Sequence, residues 1–175
     1  NMDLVVRGFA LLASQEPEAR LLIVGEGPAK EHVRELADEL GVGEKVIFTG
    51  FVPDEELPLF YAACDVLTLA SKFETQGLVI LEAMAVGKPI SGIRYRAVAE
   101  LVREGENGEL FEETPYSWSQ ATMRLLRDPK RYREGALAKA NEFSAGQWAT
   151  RLLDIYQYAM ESKAGRVNNK VFLKR

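Results

Sequence analysis

The sequence predicts an open α/β fold in which a doubly wound parallel sheet carries helices on both faces. Three observations lead to this class. Short apolar runs alternate with amphipathic stretches of about ten residues as far as residue 111. The short runs are nearly continuous in apolar residues, which is typical of parallel strands covered on both faces. From Tyr116 onward only helical patterns follow, so a helical tail is expected after the sheet.

The predicted strands are runs of three to six residues, rich in Val, Ile, Leu and Phe and bounded by turn residues. They cover residues 20–24, 45–49, 65–70, 89–93 and 109–111. Ligands of open parallel sheets bind beyond the carboxyl ends of the strands. The loops that begin at Gly25, Gly50, Ala70 and Ile93 are therefore the places to look for a site.

The helices between these strands carry apolar residues at helical spacing. They are predicted at residues 3–13, 30–40, 53–63, 77–86 and 97–103, with further helices at 116–126, 130–142 and 145–162. Asp54 is the expected N-cap of the third helix, and Gly41 ends the second. The pattern indicates one Rossmann-like domain over residues 1–160 and a separate tail over residues 161–175.

Charge is unevenly distributed along the chain. The 22 basic and 26 acidic residues give a net charge of −4, which disfavours a nucleic-acid partner. The tail carries five of the basic residues and one acidic residue, which leaves −8 for residues 1–160. The basic residues of the tail are Lys163, Arg166, Lys170, Lys174 and Arg175. A solvated end, a contact with a partner domain and a contact with anionic membranes all remain open for it.

Several functional classes are excluded by composition. The single Cys64 and the single His32 cannot build a disulfide scaffold or a Cys/His zinc site. No D-x-D motif is present, so a metal-bridged diphosphate site of that type has no basis in the sequence. No cofactor is predicted. No apolar run approaches the roughly 18 residues of a membrane span, and no signal-peptide layout is found. The expected location is the cytosol, with a contact at the inner face of the membrane as an open alternative.

The segment 71–87 is the most informative stretch. Its helix after Gly77 is apolar on every side apart from Glu82, which predicts a helix buried all round. A carboxylate in a buried helix must be paired, hydrogen-bonded or open to a cleft. We interpret Glu82 as a residue that faces a cleft and accepts hydrogen bonds from ligand hydroxyls. The alternative is a buried Glu bonded to backbone groups or to a neighbouring helix.

Glu74 lies just before the same helix, eight residues earlier. The backbone N–H groups around Gly77 and Leu78 would suit a phosphate, because helix N-termini bind anions. A carboxylate and a phosphate cannot share that position. Glu74 therefore either caps the helix or contacts neutral hydroxyls beside it.

Three other loops are weaker candidates. Gly25 and Gly27 would let a ligand approach the backbone closely, or they form only a tight turn. The backbone at Phe51 and Val52 could contact a planar base, or it is a plain connection. The run Arg94-Tyr95-Arg96 could bind an anion, although surface Arg residues are common.

Taken together, four of these stretches resemble the C-terminal, nucleotide-sugar-binding domain of family 4 glycosyltransferases. They are LLIVGEGP (21–28), KVIFTGFVPDEELPLFYAACDV (45–66), SKFETQGLVILEAMAVGKPI (71–90) and AVAELVREGENGELF (97–111). The pair of Glu residues with seven residues between them, Glu74 and Glu82, is the most specific element. The resemblance implies one half of a GT-B enzyme that transfers sugar with retention, without a metal, from a nucleoside diphosphate sugar. The other half would be an N-terminal acceptor-binding domain.

The resemblance also implies a role for each site residue. Glu82 would hold the ribose hydroxyls of the donor, and Glu74, the candidate catalytic residue, would contact the transferred sugar. The backbone amides of Gln76, Gly77 and Leu78 would serve the sugar and the diphosphate. Gly25 and Gly27 would line the donor cleft, while Phe51 and Val52 would meet the base.

The sequence departs from the family pattern at two places. Glu74-Thr75-Gln76-Gly77 stands where E-G-F-G is frequent, a form closer to members that glycosylate membrane lipids. Arg96-Ala97 replaces a paired glycine. The resemblance implies a glycosyltransferase, of which this chain alone is an inactive part. A nucleotide-sugar-binding module without catalysis and a structural, partner-binding α/β domain are the alternatives.

Overall fold

Parallel strands form two sheets in the computed structural model, which describes residues 1–163. The strands are β1 (Leu21–Val24), β2 (Val46–Gly50), β3 (Leu67–Leu69), β4 (Ile90–Ile93) and β5 (Gly108–Phe111). Strand β1 pairs with β2, and the second sheet has the order β3-β4-β5. All of these ladders are parallel. The prediction of a parallel α/β fold is confirmed, and the one sheet expected from the pattern is divided into these two sheets.

Strand β4 is the buried centre of the three-stranded sheet. All four of its residues are buried, and it pairs with β3 and β5 on its two edges. Leu67 lies opposite Ile90, and Ile90 lies opposite Gly108. A Cβ at Gly108 would collide with the Ile90 carbonyl, so this position requires glycine. Helices from before and after this strand in the chain contact it, and its one polar side chain, Ser91, is hydrogen-bonded to Thr122 at 2.8 Å.

Helices follow the strands as predicted, with one correction. They are α1 (Met2–Ala13), α2 (Lys30–Glu39), α3 (Leu57–Ala63), α4 (Leu78–Ala85), α5 (Arg96–Leu101), α6 (Pro115–Arg127), α7 (Arg133–Glu142) and α8 (Ala145–Lys163). The predicted start of the third helix and its Asp54 cap are wrong. The N–H of Glu56 bonds to the Pro53 carbonyl at 2.9 Å, so residues 54–56 form a turn and α3 begins only at Leu57.

The core between α1 and α6 is built around aromatic side chains. Trp118 and Phe9 are almost fully buried, and each contributes roughly 1.5–3 kcal/mol by burial. Gly8 leaves the space that the Trp118 ring occupies, since a Cβ there would clash with the ring. The indole Nε1 of Trp118 donates to Thr68 Oγ1 at 2.7 Å, which ties α6 to β3. This packing holds the sheet whose carboxyl edge carries the candidate carboxylates.

The chain divides into two units, Asn1–Ala140 and a second that begins at Asn141. The second unit contains α8, and the prediction of a helix over residues 145–162 is confirmed. Helix α8 bears an apolar stripe of Trp148, Leu152, Ile155 and Tyr156. The predicted tail beyond α8, with Arg166, Lys170, Lys174 and Arg175, lies outside the described residues. The domain boundary after residue 160 stays a prediction. In residues 1–163, no helix combines the length and the apolarity that crossing a membrane requires.

Candidate functional site

Helix α4 buries one face and exposes the other. Ile80, Ala83 and Met84 are completely buried, whereas Glu82 and Ala85 on the opposite side are exposed. Leu78, at the start of the same side, is 58% exposed. The prediction of a helix buried on every side is therefore wrong, because helix α3 contacts only part of this second face and leaves Leu78, Glu82 and Ala85 exposed. An exposed apolar surface rimmed by a charge is typical of a binding surface.

Glu82 is held by a tyrosine from the preceding helix. The hydroxyl of Tyr61 on α3 donates to Glu82 Oε2 at 2.7 Å. Burial and this hydrogen bond raise the pKa of the Tyr61 phenol above its ordinary value. Within residues 1–163, no other hydrogen bond or ion pair reaches the Glu82 carboxylate. Its second oxygen therefore remains available to a ligand hydroxyl. Of the alternatives weighed from the sequence, the bond to a neighbouring helix is present, but Glu82 is exposed and not buried. Its position in a ligand cleft stays a prediction.

The first turn of α4 offers hydrogen-bond donors on the same side. The first N–H groups of a helix have no acceptor within the helix. The amides of Leu78 and Val79 have no backbone or side-chain acceptor in the described part of the chain. Glu82 lies four residues beyond Leu78, about 6 Å along the helix axis. One face of α4 thus presents two N–H donors and, one turn later, a carboxylate.

Glu74 is bound to the backbone that leads into α4. Its Oε1 accepts from the amides of Thr75, Gln76 and Gly77 at 2.9, 3.1 and 2.8 Å. These hydrogen bonds, led by that from Gly77, lower the pKa of the Glu74 carboxyl. Glu74 therefore fixes the loop that precedes α4. The role of a helix cap, one of the two considered for it, is not present, because no side chain in residues 1–163 accepts from the first amides of the helix. Two of the amides assigned to the ligand, those of Gln76 and Gly77, are occupied by Glu74, whereas that of Leu78 is open.

Gly77 itself connects this loop to the helix. It has φ +66, a conformation that favours glycine. A Cβ at Gly77 would also meet the Leu101 side chain of α5. The turn therefore depends on glycine twice, for its backbone conformation and for its packing.

The loops that follow β1 and β2, at Gly25 and Gly50, meet at the carboxyl edge of the sheet that these two strands form. The Gly25 N–H donates to the Gly50 carbonyl at 2.9 Å, and both residues have positive φ. No atom lies within 4 Å of the place where a Cβ of Gly25 or Gly27 would be, so their backbone is open. Phe51 is 78% exposed, whereas Val52 is buried. This edge is thus accessible to a ligand at the predicted glycines and at the Phe51 side chain.

The two arginines after β4 differ in their partners. Arg94 forms ion pairs with Glu104 and Glu112, both at 2.9 Å, and the first of these in particular raises its pKa. Its charge is thus compensated within the fold. Arg96 stacks on the Tyr95 ring at 5.2 Å and has φ +41. The backbone therefore keeps a left-handed conformation where the resemblance leads one to expect glycine.

The structure brings some predicted residues together and leaves others apart. The Glu82 carboxylate meets Tyr61, which sequence reasoning did not single out. No local signal could have shown this pair, because 21 residues separate the two positions. In residues 1–163, no hydrogen bond joins Gly25, Gly27 or Phe51 to either carboxylate, and no cluster of His, Cys, Asp and Glu could serve as a metal site.

Comparison with known proteins identifies the class. Residues 1–140 match the family described as "Glycosyl transferases group 1", and the chain belongs to this family. Over 160 residues it is 34% identical to the GDP-mannose-dependent alpha-(1-6)-phosphatidylinositol monomannoside mannosyltransferase of Mycolicibacterium smegmatis. Over 171 residues it is 30% identical to the D-inositol 3-phosphate glycosyltransferase of Corynebacterium glutamicum.

These matches cover 86% and 92% of this chain, but only 42% and 41% of the two relatives. The chain therefore spans about two fifths of the length of these relatives.

Solved structures share the fold. HepE of Anabaena in complex with UDP superposes with a TM-score of 0.77 at 25% identity, over 89% of this chain and 44% of that chain. The C-terminal domain of a glycosyl transferase group 1 protein, LpcC of Francisella tularensis, gives 0.71 at 24% identity. That match covers 81% of this chain and 77% of the other, and it shows the common fold. The fold is thus that of GT-B glycosyltransferases.

Proposed function

We propose that the chain is the donor-binding, C-terminal half of a retaining family 4 glycosyltransferase. Such an enzyme transfers a sugar from a nucleoside diphosphate sugar to a glycan, polysaccharide or glycolipid acceptor. The observation that carries the proposal is the exposed face of α4. It presents the open amides of Leu78 and Val79 and, one turn later, the Glu82 carboxylate.

A nucleoside diphosphate matches this face chemically. Its phosphates are anions, which the N–H groups and the dipole at a helix N-terminus favour. Its ribose has hydroxyl donors, which Glu82 accepts through the oxygen that Tyr61 leaves free. A hydrogen bond to a charged group contributes about 1.5–3 kcal/mol. The face therefore binds the diphosphate at its start and the ribose one turn further on.

The remaining predicted residues surround the two ends of this ligand. Glu74 contacts the transferred sugar through Oε2, since Oε1 is engaged with the loop amides. The open backbone at Gly25 and Gly27 lines the donor site, and Phe51 and Val52 contact the base. HepE is described with UDP and the mycobacterial relative as GDP-mannose-dependent, so uracil and guanine are both candidates.

Transfer requires an acceptor held against the donor. We assign the acceptor to an N-terminal domain, in keeping with relatives more than twice as long as this chain. The amides at the start of α4 stabilise the negative charge of the diphosphate in this proposal, without a metal ion. The 175-residue chain alone is expected to bind donor without transferring sugar, and steady transfer by the purified chain would contradict this assignment.

Calorimetric titration tests the proposal. We expect saturable binding of UDP or GDP, weaker binding of the corresponding nucleoside, and a further contribution from the sugar of UDP-glucose or GDP-mannose. Absence of saturable binding for all four nucleotides would contradict the donor site and favour a structural α/β domain. Binding without turnover after an N-terminal domain has been supplied would indicate a module without catalysis.

A further inference from the structure

Tyr61 is the residue that hydrogen-bonds Glu82 in the described part of the chain. We propose that Tyr61 is a positioning residue, whose hydroxyl holds the Glu82 carboxylate in the orientation that receives the ribose hydroxyls. This inference rests on the proposed function, because it assigns a task within the same donor site. It adds a second helix, α3, to a site that α4 would otherwise form alone.

The geometry of the pair supports positioning. The distance of 2.7 Å from the phenol oxygen to Glu82 Oε2 lies in the short range of hydrogen bonds to a carboxylate. Glu82 stands on an exposed helix face, where a free side chain would sample many rotamers. One strong hydrogen bond restricts those rotamers before the ligand arrives. The other carboxylate oxygen then points to a smaller set of positions, and less entropy is lost on binding.

The phenol is suited to this task because it keeps its proton. Tyr61 is half-buried, so its ring is anchored, and burial together with the Glu82 carboxylate raises its pKa. It therefore remains protonated, and a hydrogen-bond donor, around neutral pH. A phenol is also neutral. Unlike a Lys or Arg, it leaves the negative charge of the Glu82 carboxylate uncompensated and available to the ligand hydroxyls.

The position of Tyr61 also connects the two ends of the nucleoside. Helix α3 follows the loop of Phe51 and Val52, which is assigned to the base. Its residue Tyr61 contacts Glu82, which is assigned to the ribose. The base loop and the ribose carboxylate are thereby linked by a single short helix. A base that fits the loop and a ribose that fits Glu82 are then held at one fixed separation.

The test compares Tyr61→Phe with Tyr116→Phe, a matched removal of one hydroxyl from an exposed tyrosine on α6. The probe is UDP or GDP, whichever wild type binds more tightly, together with its 2′,3′-dideoxy analogue. We expect Tyr61→Phe to weaken binding of the ribonucleotide about three- to tenfold. Binding of the dideoxy analogue should change less than about twofold, because that ligand has no ribose hydroxyls for Glu82. Tyr116→Phe should change neither of the two affinities. In a protein that already carries Glu82→Ala, Tyr61→Phe should not weaken binding further.

Each other outcome overturns the inference. An equal loss for both ligands would make Tyr61 a structural residue or a base contact, and no loss would remove its role altogether. Failure of wild type to bind either nucleotide would instead contradict the proposed function, and the inference with it.

Discussion

Two carboxylates eight residues apart, Glu74 and Glu82, differ in what their oxygens contact. One oxygen of Glu74 accepts three backbone N–H groups from its own loop. Glu82 accepts a single hydrogen bond from a side chain on another helix, and the rest of its carboxylate is open. Glu74 thus contributes to the fold of the loop, whereas Glu82 contributes little to any backbone structure.

Replacement of the two residues should therefore change different properties of the protein. Removal of Glu74 leaves loop amides without an acceptor and so affects stability. Removal of Glu82 leaves only a phenol without its acceptor, at a solvent-accessible position, and so affects ligand binding. The variants below test this distinction, beginning with the largest expected effect.

Glu82→Ala should weaken binding of the preferred nucleoside diphosphate roughly 10- to 150-fold, since it removes hydrogen bonds to a charged group. Its free energy of unfolding should change by less than about 0.5 kcal/mol, as is usual for exposed positions. Calorimetric titration and urea denaturation measure the two quantities. Glu35→Ala, an exposed Glu on α2, is the control and should change neither. Equal affinity of the two variants would remove Glu82 from the site.

Glu74→Ala should lower the free energy of unfolding by about 1–2 kcal/mol, because three loop amides lose their charged acceptor. Urea denaturation measures this loss. Glu74→Gln keeps an amide oxygen as acceptor and should lose less. If Glu74 also contacts the sugar, Glu74→Ala will weaken binding of the sugar nucleotide more than that of the bare diphosphate. Equal losses for both ligands would eliminate that contact while leaving its role in the loop intact.

Arg96→Gly extends the comparison to the neighbouring loop, where a strained residue stands in place of a glycine. The φ of +41 costs about 1–3 kcal/mol for a residue with a side chain. Glycine relieves this strain but loses more entropy on folding, by about 0.5–1 kcal/mol. We expect a net stabilisation of roughly 0.5–1 kcal/mol, visible as a higher urea midpoint. Arg96→Ala keeps the strain and should give no gain, and a similar gain in both variants would show that the side chain is the cause.

The pH dependence of the Glu74 contribution should be the smallest effect. The folded-state pKa of Glu74 lies below the unfolded value of 4.5. The stability that the charged form of Glu74 contributes is therefore fully present above pH 4.5. It is lost as the pH falls through the lower folded pKa. The advantage of wild type over Glu74→Gln should shrink between pH 6 and pH 3, by less than about 1 kcal/mol because Glu74 is partly exposed. A difference that does not vary with pH would show that the hydrogen bonds of Glu74 to the loop amides stabilise the loop without a contribution from its charge.

The local patterns in the sequence were sufficient for the order and type of the elements. The apolar runs of β1 to β5 and the helical spacing of α1, α2 and α6 predicted segments that the structure confirms. They were sufficient because strand and helix periodicity depend on residues within one segment. The start of α3 was wrong by four residues. The Pro53 carbonyl accepts from both Glu56 and Leu57, so residues 54–56 form a turn that leads into the helix, and residue spacing does not show such a boundary.

Residue patterns were enough to predict the parallel α/β class and to place Glu74 before α4 and Glu82 within it. The contacts of these two residues depend on how the elements pack. Helix α4 is apolar on nearly every side, and periodicity cannot say which side another element will cover. The contact of Tyr61 with Glu82 joins positions 21 residues apart, which become neighbours only when α3 packs beside α4. Burial and side-chain partners depend on such long-range packing, and no segment contains that information alone.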